Sequence, residues 1–129
     1  MTVYLETSAA AKLLVEEAQS PALATYIDAL GDDTRIVSSA LLETELRRLA
    51  VREGLPQDAV THVLDRVDLY EPDRALFHQA GILPGPRLRS LDALHVTAAL
   101  RAEADAFLCY DQRQGHAATS VGLRLLAPA

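Results

Sequence analysis

Ala106-Phe107-Leu108-Cys109-Tyr110-Asp111 decides the fold. Five almost continuously apolar residues end on a carboxylate. So short a run, apolar at every position, reads as a strand buried on both faces, the kind found in parallel sheets. Val3-Tyr4-Leu5, ending on Glu6, repeats the pattern near the N-terminus. Arg35-Ile36-Val37-Ser38, Val67-Asp68-Leu69-Tyr70 and Leu123-Arg124-Leu125-Leu126 are three further candidate strands.

The stretches between these runs carry helical periodicity. Helices are expected over 8–15 and 21–30, 39–51 and 58–64, 73–80 and 90–102, with a short one over 112–119. Strands alternating with helices predict an α/β fold, a three-layer α/β/α sandwich around a mainly parallel central sheet. A chain of 129 residues fits one domain, 1–129. Leu83-Pro84-Gly85-Pro86-Arg87-Leu88-Arg89 is a Pro/Gly loop leading into a helix, read as a loop beside the site rather than a linker.

Half of the residues are apolar and 23% are charged, the balance of an ordinary globular protein. The single Cys109 has no internal disulfide partner and reads as a small core residue in a reducing compartment. No basic segment precedes an apolar stretch at the N-terminus, and no segment nears the ~20 apolar residues that span a bilayer. A cytoplasmic protein is the expectation. The net charge of −6 weighs mildly against nucleic acid. However, all the basic residues but Lys12 are Arg, the better phosphate fork.

In open parallel sheets, ligands sit beyond the carboxyl ends of the strands. Four acids are expected there. Glu6 and Asp111 directly follow the first and fourth runs, and Asp92 falls in the first turn of the helix after Ser90. For these three, the bland reading is a carboxylate at a helix start. Glu45 is different. It lies four residues from both Leu41 and Leu49, on the apolar stripe of its helix, where a lone carboxylate is costly. An internal ion pair with an Arg is its bland alternative. His95, three residues beyond Asp92, could touch that acid but reads as a satisfied, partly buried histidine. Four converging carboxylates would repel, and a hard divalent cation such as Mg²⁺ or Mn²⁺ relieves that. No phosphate loop, Gly-x-Ser-x-Gly elbow or zinc-spaced Cys/His cluster offers another chemistry.

Val3-Tyr4-Leu5-Glu6-Thr7-Ser8, the middle Val37-Ser38-Ser39-Ala40-Leu41-Leu42-Glu43-Thr44-Glu45-Leu46, then Ser90-Leu91-Asp92-Ala93-Leu94-His95 and Tyr110-Asp111-Gln112-Arg113, together resemble PIN-domain proteins. More narrowly, they resemble the VapC-type toxins of bacterial toxin–antitoxin pairs. The resemblance implies a Mg²⁺- or Mn²⁺-dependent endoribonuclease acting on tRNA or rRNA. It also implies a homodimer and neutralisation by a cognate antitoxin. Glu6, Glu45, Asp92 and Asp111 are then the catalytic and metal-holding acids, with Thr7 or Ser8 a polar neighbour of the metal. The family's first acid is normally Asp, and Glu6 is one methylene longer. A catalytically weakened PIN-fold module that keeps antitoxin and RNA binding is the alternative. A phosphotransfer domain would want an Asp nucleophile where Glu6 stands. Phosphate contacts are expected from Arg87 and Arg89 foremost, with Lys12, Arg47 and Arg48 as further candidates.

Overall fold

The computed structural model describes residues 1–129. Five strands form one sheet in the order β3-β2-β1-β4-β5, every neighbouring pair parallel. They are β1 (Thr2–Leu5), β2 (Arg35–Ser39), β3 (Asp68–Tyr70), β4 (Ala106–Leu108) and β5 (Leu125–Leu126). The helices are α1 (Thr7–Ala11), α2 (Ser20–Asp28), α3 (Leu41–Glu53), α4 (Gln57–Leu64), α5 (Arg74–Gly81), α6 (Ser90–Arg101) and α7 (Gln112–Ser120). No helix is long and apolar enough to cross a membrane.

Side chains in a strand alternate between its faces, and here the alternation separates two cores. Val3, Leu5, Ala106 and Leu108 face one way and pack with Ala9, Leu23, Ile27, Leu42, Leu46 and Val60 of α1–α4. Tyr4, Val37, Phe107 and Cys109 face the other way, against Leu76, Val96, Ala99 and Ala118 of α5–α7. Burying each such large side chain contributes about 1.5–3 kcal/mol, so both helical layers are held chiefly by the central strands.

The chain leaves β1 and β2 toward the first layer, then crosses through α5 and α6 to β4 on the other side of β1. The β1/β4 neighbours are thus the point where the winding reverses, and their carboxyl ends form a crevice. Tyr4 pairs with both Val37 and Phe107 across this centre.

Several ends differ from the sequence expectation. α1 stops at Ala11 rather than residue 15, because Leu13 and Leu14 N–H bond three residues back and tighten the chain into turns. β4 is three residues long rather than five, although Cys109 N–H still donates to Leu126 O at 3.1 Å. α3 begins at Leu41, two residues late. Glu6 itself caps α1, and Arg89 holds the extended conformation before α6 while Ser90 is already helical.

Candidate active site

Glu6 follows β1 at the crevice and is only 4% exposed. Its Oε2 accepts the Ser8 N–H at 2.8 Å and, through a short hydrogen bond, the Ser8 hydroxyl. The same hydroxyl oxygen accepts the N–H groups of Tyr110 (2.8 Å) and Asp111 (3.2 Å). Ser8 therefore uses its one donor and both lone pairs, tying the acid after β1 to the turn after β4. Burial pushes the Glu6 carboxyl above its ordinary range, against the pull of the Ser8 hydrogen bonds.

Asp111 caps α7 by accepting the Gln114 N–H at 3.0 Å. Gln114 is fully buried, and its Nε2 donates to the Asp92 carbonyl at 3.3 Å, joining α7 to α6 at their starts. Asp92 is half-buried in the first turn of α6. Burial and then the Asp111 charge raise its carboxyl above the usual range, opposed by the Arg89 backbone and the Arg113 charge.

Glu45 sits on the inner side of α3 with its side chain 23% exposed. Its partner is His95 rather than an arginine, with Oε1 2.6 Å from Nε2. The nearby Arg47 pairs with Glu43 instead. His95 is 1% exposed and also meets Thr7 Oγ1 (3.2 Å) and the Tyr4 hydroxyl (2.7 Å at Nδ1). The Tyr4 oxygen already accepts the Ser39 N–H at 3.1 Å, so its proton is free to go to Nδ1. That bonding assigns Nε2 as the protonated nitrogen, directed at Glu45 and Thr7. Burial raises the Tyr4 phenol, which keeps it a donor.

The four acids thus occupy one end of the sheet in three local settings: an Asp92/Asp111 pair, Glu6 clamped by Ser8, and Glu45 held by His95. No three His, Cys, Asp or Glu side chains come close enough to hold one ion together. The pair still suits Mg²⁺ or Mn²⁺, which bind through one or two carboxylates with the remaining positions left to water and substrate phosphate.

Among the expected phosphate contacts, Arg87 and Arg89 are exposed near the start of α6. Lys12 is engaged, its side chain 10% exposed with Nζ 3.3 Å from Glu17 and 4.8 Å from the Tyr110 ring centroid. Sequence reasoning placed Ser8 only as a polar neighbour of the metal, not as the clamp on Glu6, and missed the roles of Tyr4, Gln114 and Arg113. Of those three only Tyr4 gave a signal, a phenol inside a fully buried strand, which needs a partner.

The PIN domain family profile matches residues 3–119. Ribonuclease VapC35 of Mycobacterium tuberculosis is 43% identical over 134 residues, covering 98% of this chain and 96% of that protein. Ribonuclease VapC46 of the same organism is 36% identical and covers 98% of each. Among solved structures, VapBC2 from Rickettsia felis, described as bound to a DNA fragment from its promoter, superposes with a TM-score of 0.76 at 14% identity over the whole of both chains. M. tuberculosis VapC20, described as a toxin cleaving the sarcin–ricin loop, gives 0.76 at 15% identity over 98% of this chain and 99% of that one. With a crevice of acids at the β1/β4 reversal and relatives matched end to end, the chain belongs to the PIN-domain family, alongside its VapC proteins.

Proposed function

We propose that the protein is a Mg²⁺- or Mn²⁺-dependent endoribonuclease, a toxin that hydrolyses phosphodiester bonds of tRNA or rRNA in the cytoplasm and is neutralised by a cognate antitoxin. Glu6, Glu45, Asp92 and Asp111 are its catalytic acids. The observation that carries this reading is the convergence of Asp92 and Asp111 beside the winding reversal, where Gln114 bonds both the Asp111 side chain and the Asp92 carbonyl and so ties the starts of α7 and α6 together. Supporting it are the relatives named as ribonucleases, the neighbour VapC20 described as a toxin cleaving the sarcin–ricin loop, and the neighbour solved as VapBC2. A homodimer belongs to the same reading.

Asp92 and Asp111 would hold the ion. A bound Mg²⁺ or Mn²⁺ supplies a lowered water pKa and offsets charge on the departing 3′ oxygen. Glu45, fixed by the His95 N–H through Oε1, has its second oxygen without a protein partner and would orient water with it. Glu6, clamped by Ser8, sets the spacing between the β1 and β4 ends. Arg87 and Arg89 receive phosphates, whereas Lys12 would first have to leave Glu17 and Tyr110. Water is the nucleophile in this scheme, so the products carry 5′-phosphate ends. End analysis of cleaved RNA tests it. Cyclic 2′,3′-phosphate ends, or cleavage that persists in EDTA, would overturn it.

One observation favours the alternative of a weakened binding module. Glu6 is nearly inaccessible and both its bonds go to Ser8. Comparing wild type with Glu6→Asp separates the readings. Cleavage by wild type supports the enzyme, and cleavage by the variant alone supports the module.

A further inference from the structure

The loop 84–88 and the face of α7 enclose a pocket of about 580 Å³ beside the acid pair. Arg87 stands on its loop side. Arg113 and His116, three residues apart and so on one helical face, stand on the other. Pro86 and Leu88 add apolar wall. Gln112 and Arg113 of its wall directly follow Asp111, the N-cap of α7, so the pocket and the acids share a border.

Two features set this pocket apart. No acidic side chain lines it, in a chain that carries 18 acids against 12 bases. Both of its arginines, Arg87 and Arg113, are free of carboxylate partners, unlike Arg35, Arg47, Arg66 and Arg101, and they line the same cleft. Two unpaired guanidiniums lining one cleft suit an anion with several acceptor oxygens, and phosphate is the common one. The volume exceeds what a lone phosphate needs and falls in the range of about 300–1,000 Å³ typical of small-molecule sites. Proline and leucine faces with an exposed imidazole suit a base, since RNA recognition stacks splayed bases on such side chains.

We propose that this pocket binds one nucleotide of the RNA next to the scissile bond, its phosphate between Arg87 and Arg113 and its base against Pro86, Leu88 and His116. The proposal rests on the ribonuclease reading for its occupant but not for its test. The test titrates the full-length chain in EDTA with AMP, GMP, CMP, UMP and inorganic phosphate, following backbone amides by NMR. At least one monophosphate should saturably shift Gly85, Arg87, Arg113 and His116, and bind about tenfold tighter than inorganic phosphate. Arg87→Gln and Arg113→Gln, both at exposed positions, should each weaken it about tenfold. For single-stranded RNA binding in EDTA, each should also reduce the slope of log affinity against log salt by about 0.7.

Equal binding of inorganic phosphate would reduce the pocket to a generic anion site and overturn the proposal. So would unchanged affinities in both variants. Amides unmoved by any monophosphate but shifted by a carboxylate-rich peptide would make it a protein-docking surface instead, which also overturns it. Nucleotide binding with no RNA cleavage under any metal would leave this pocket standing and remove the ribonuclease reading. Cleavage with no nucleotide in the pocket would do the reverse.

Discussion

His95 Nε2 lies 2.6 Å from Glu45 Oε1, which joins a helix of one layer to a helix of the other across the carboxyl end of the sheet. The histidine is fully buried and Glu45 is 23% exposed, so water can compete for the bond only from the carboxylate side. Replacing His95 by Phe strands the Glu45 carboxylate and the Tyr4 hydroxyl together. A loss of about 2–4 kcal/mol in urea unfolding is expected. Tyr4→Phe should cost about 1–2 kcal/mol, and the double variant less than the sum, because the two side chains share one network. Strict additivity would show that the network does not act as a unit.

Glu6→Gln should stabilise the metal-free protein at neutral pH while reducing RNA cleavage. The folded Glu6 carboxyl titrates above its unfolded value because of burial. Between those two values the native state binds the extra proton, so wild-type stability falls as pH rises through the window. Gln cannot ionise, and its advantage should grow from about pH 4.5 upward and then level off. Denaturation curves across pH 4–8 measure it. An advantage independent of pH would mean that the carboxylate's desolvation is not the cause.

Mg²⁺ or Mn²⁺ should raise Tm in wild type, by the equivalent of about 2.7 kcal/mol when free ion reaches a hundred times Kd. The shift should shrink in Asp92→Asn and Asp111→Asn, each of which removes half of the pair. An undiminished shift in both variants would place the ion elsewhere on the surface.

Two glycines should respond differently to alanine. Gly54 ends α3 at φ 67°, in the left-handed region, and Gly54→Ala should cost about 1 kcal/mol. At Gly115 an added Cβ would meet the Leu125 side chain at 2.9 Å, but Leu125 is 40% exposed and can turn outward. The gain in helix propensity of about 1 kcal/mol opposes that contact, so Gly115→Ala should stay within about 0.5 kcal/mol of wild type. Thermal melts of both variants check the pair.

Much of this could be read from the chain. Apolar runs at 3–5 and 106–110 announced two buried strands, because runs so short and apolar at every position have the length of a strand buried on both faces. Glu45 stood out because a carboxylate on a packing stripe must be paired. Its partner was out of reach: His95 lies 50 residues away, and whether it would meet Asp92 or Glu45 depends on how α3 and α6 cross the sheet edge. Ser8 was legible as a polar residue of the site, but its clamping role was hidden. A serine after a strand reads as a cap, and only the β1/β4 pairing brings the Tyr110 and Asp111 amides onto its hydroxyl. Arg87 was legible as a loop cation, whereas its apposition to Arg113 is a product of tertiary folding.

Cys109 sits at the end of β4, 2% exposed, with its thiol pushed up by burial and by the Glu6 charge. A thiol so held is nearly inert to alkylating reagents until the strand end detaches, because only the thiolate reacts. The protein therefore carries its own chemical clock. The rate at which a maleimide or disulfide reagent captures this one sulfur counts how often the crevice between Glu6 and Asp111 opens. Anything that pins that crevice shut, whether ion, nucleic acid or inhibitor protein, should slow the clock without a label being added elsewhere.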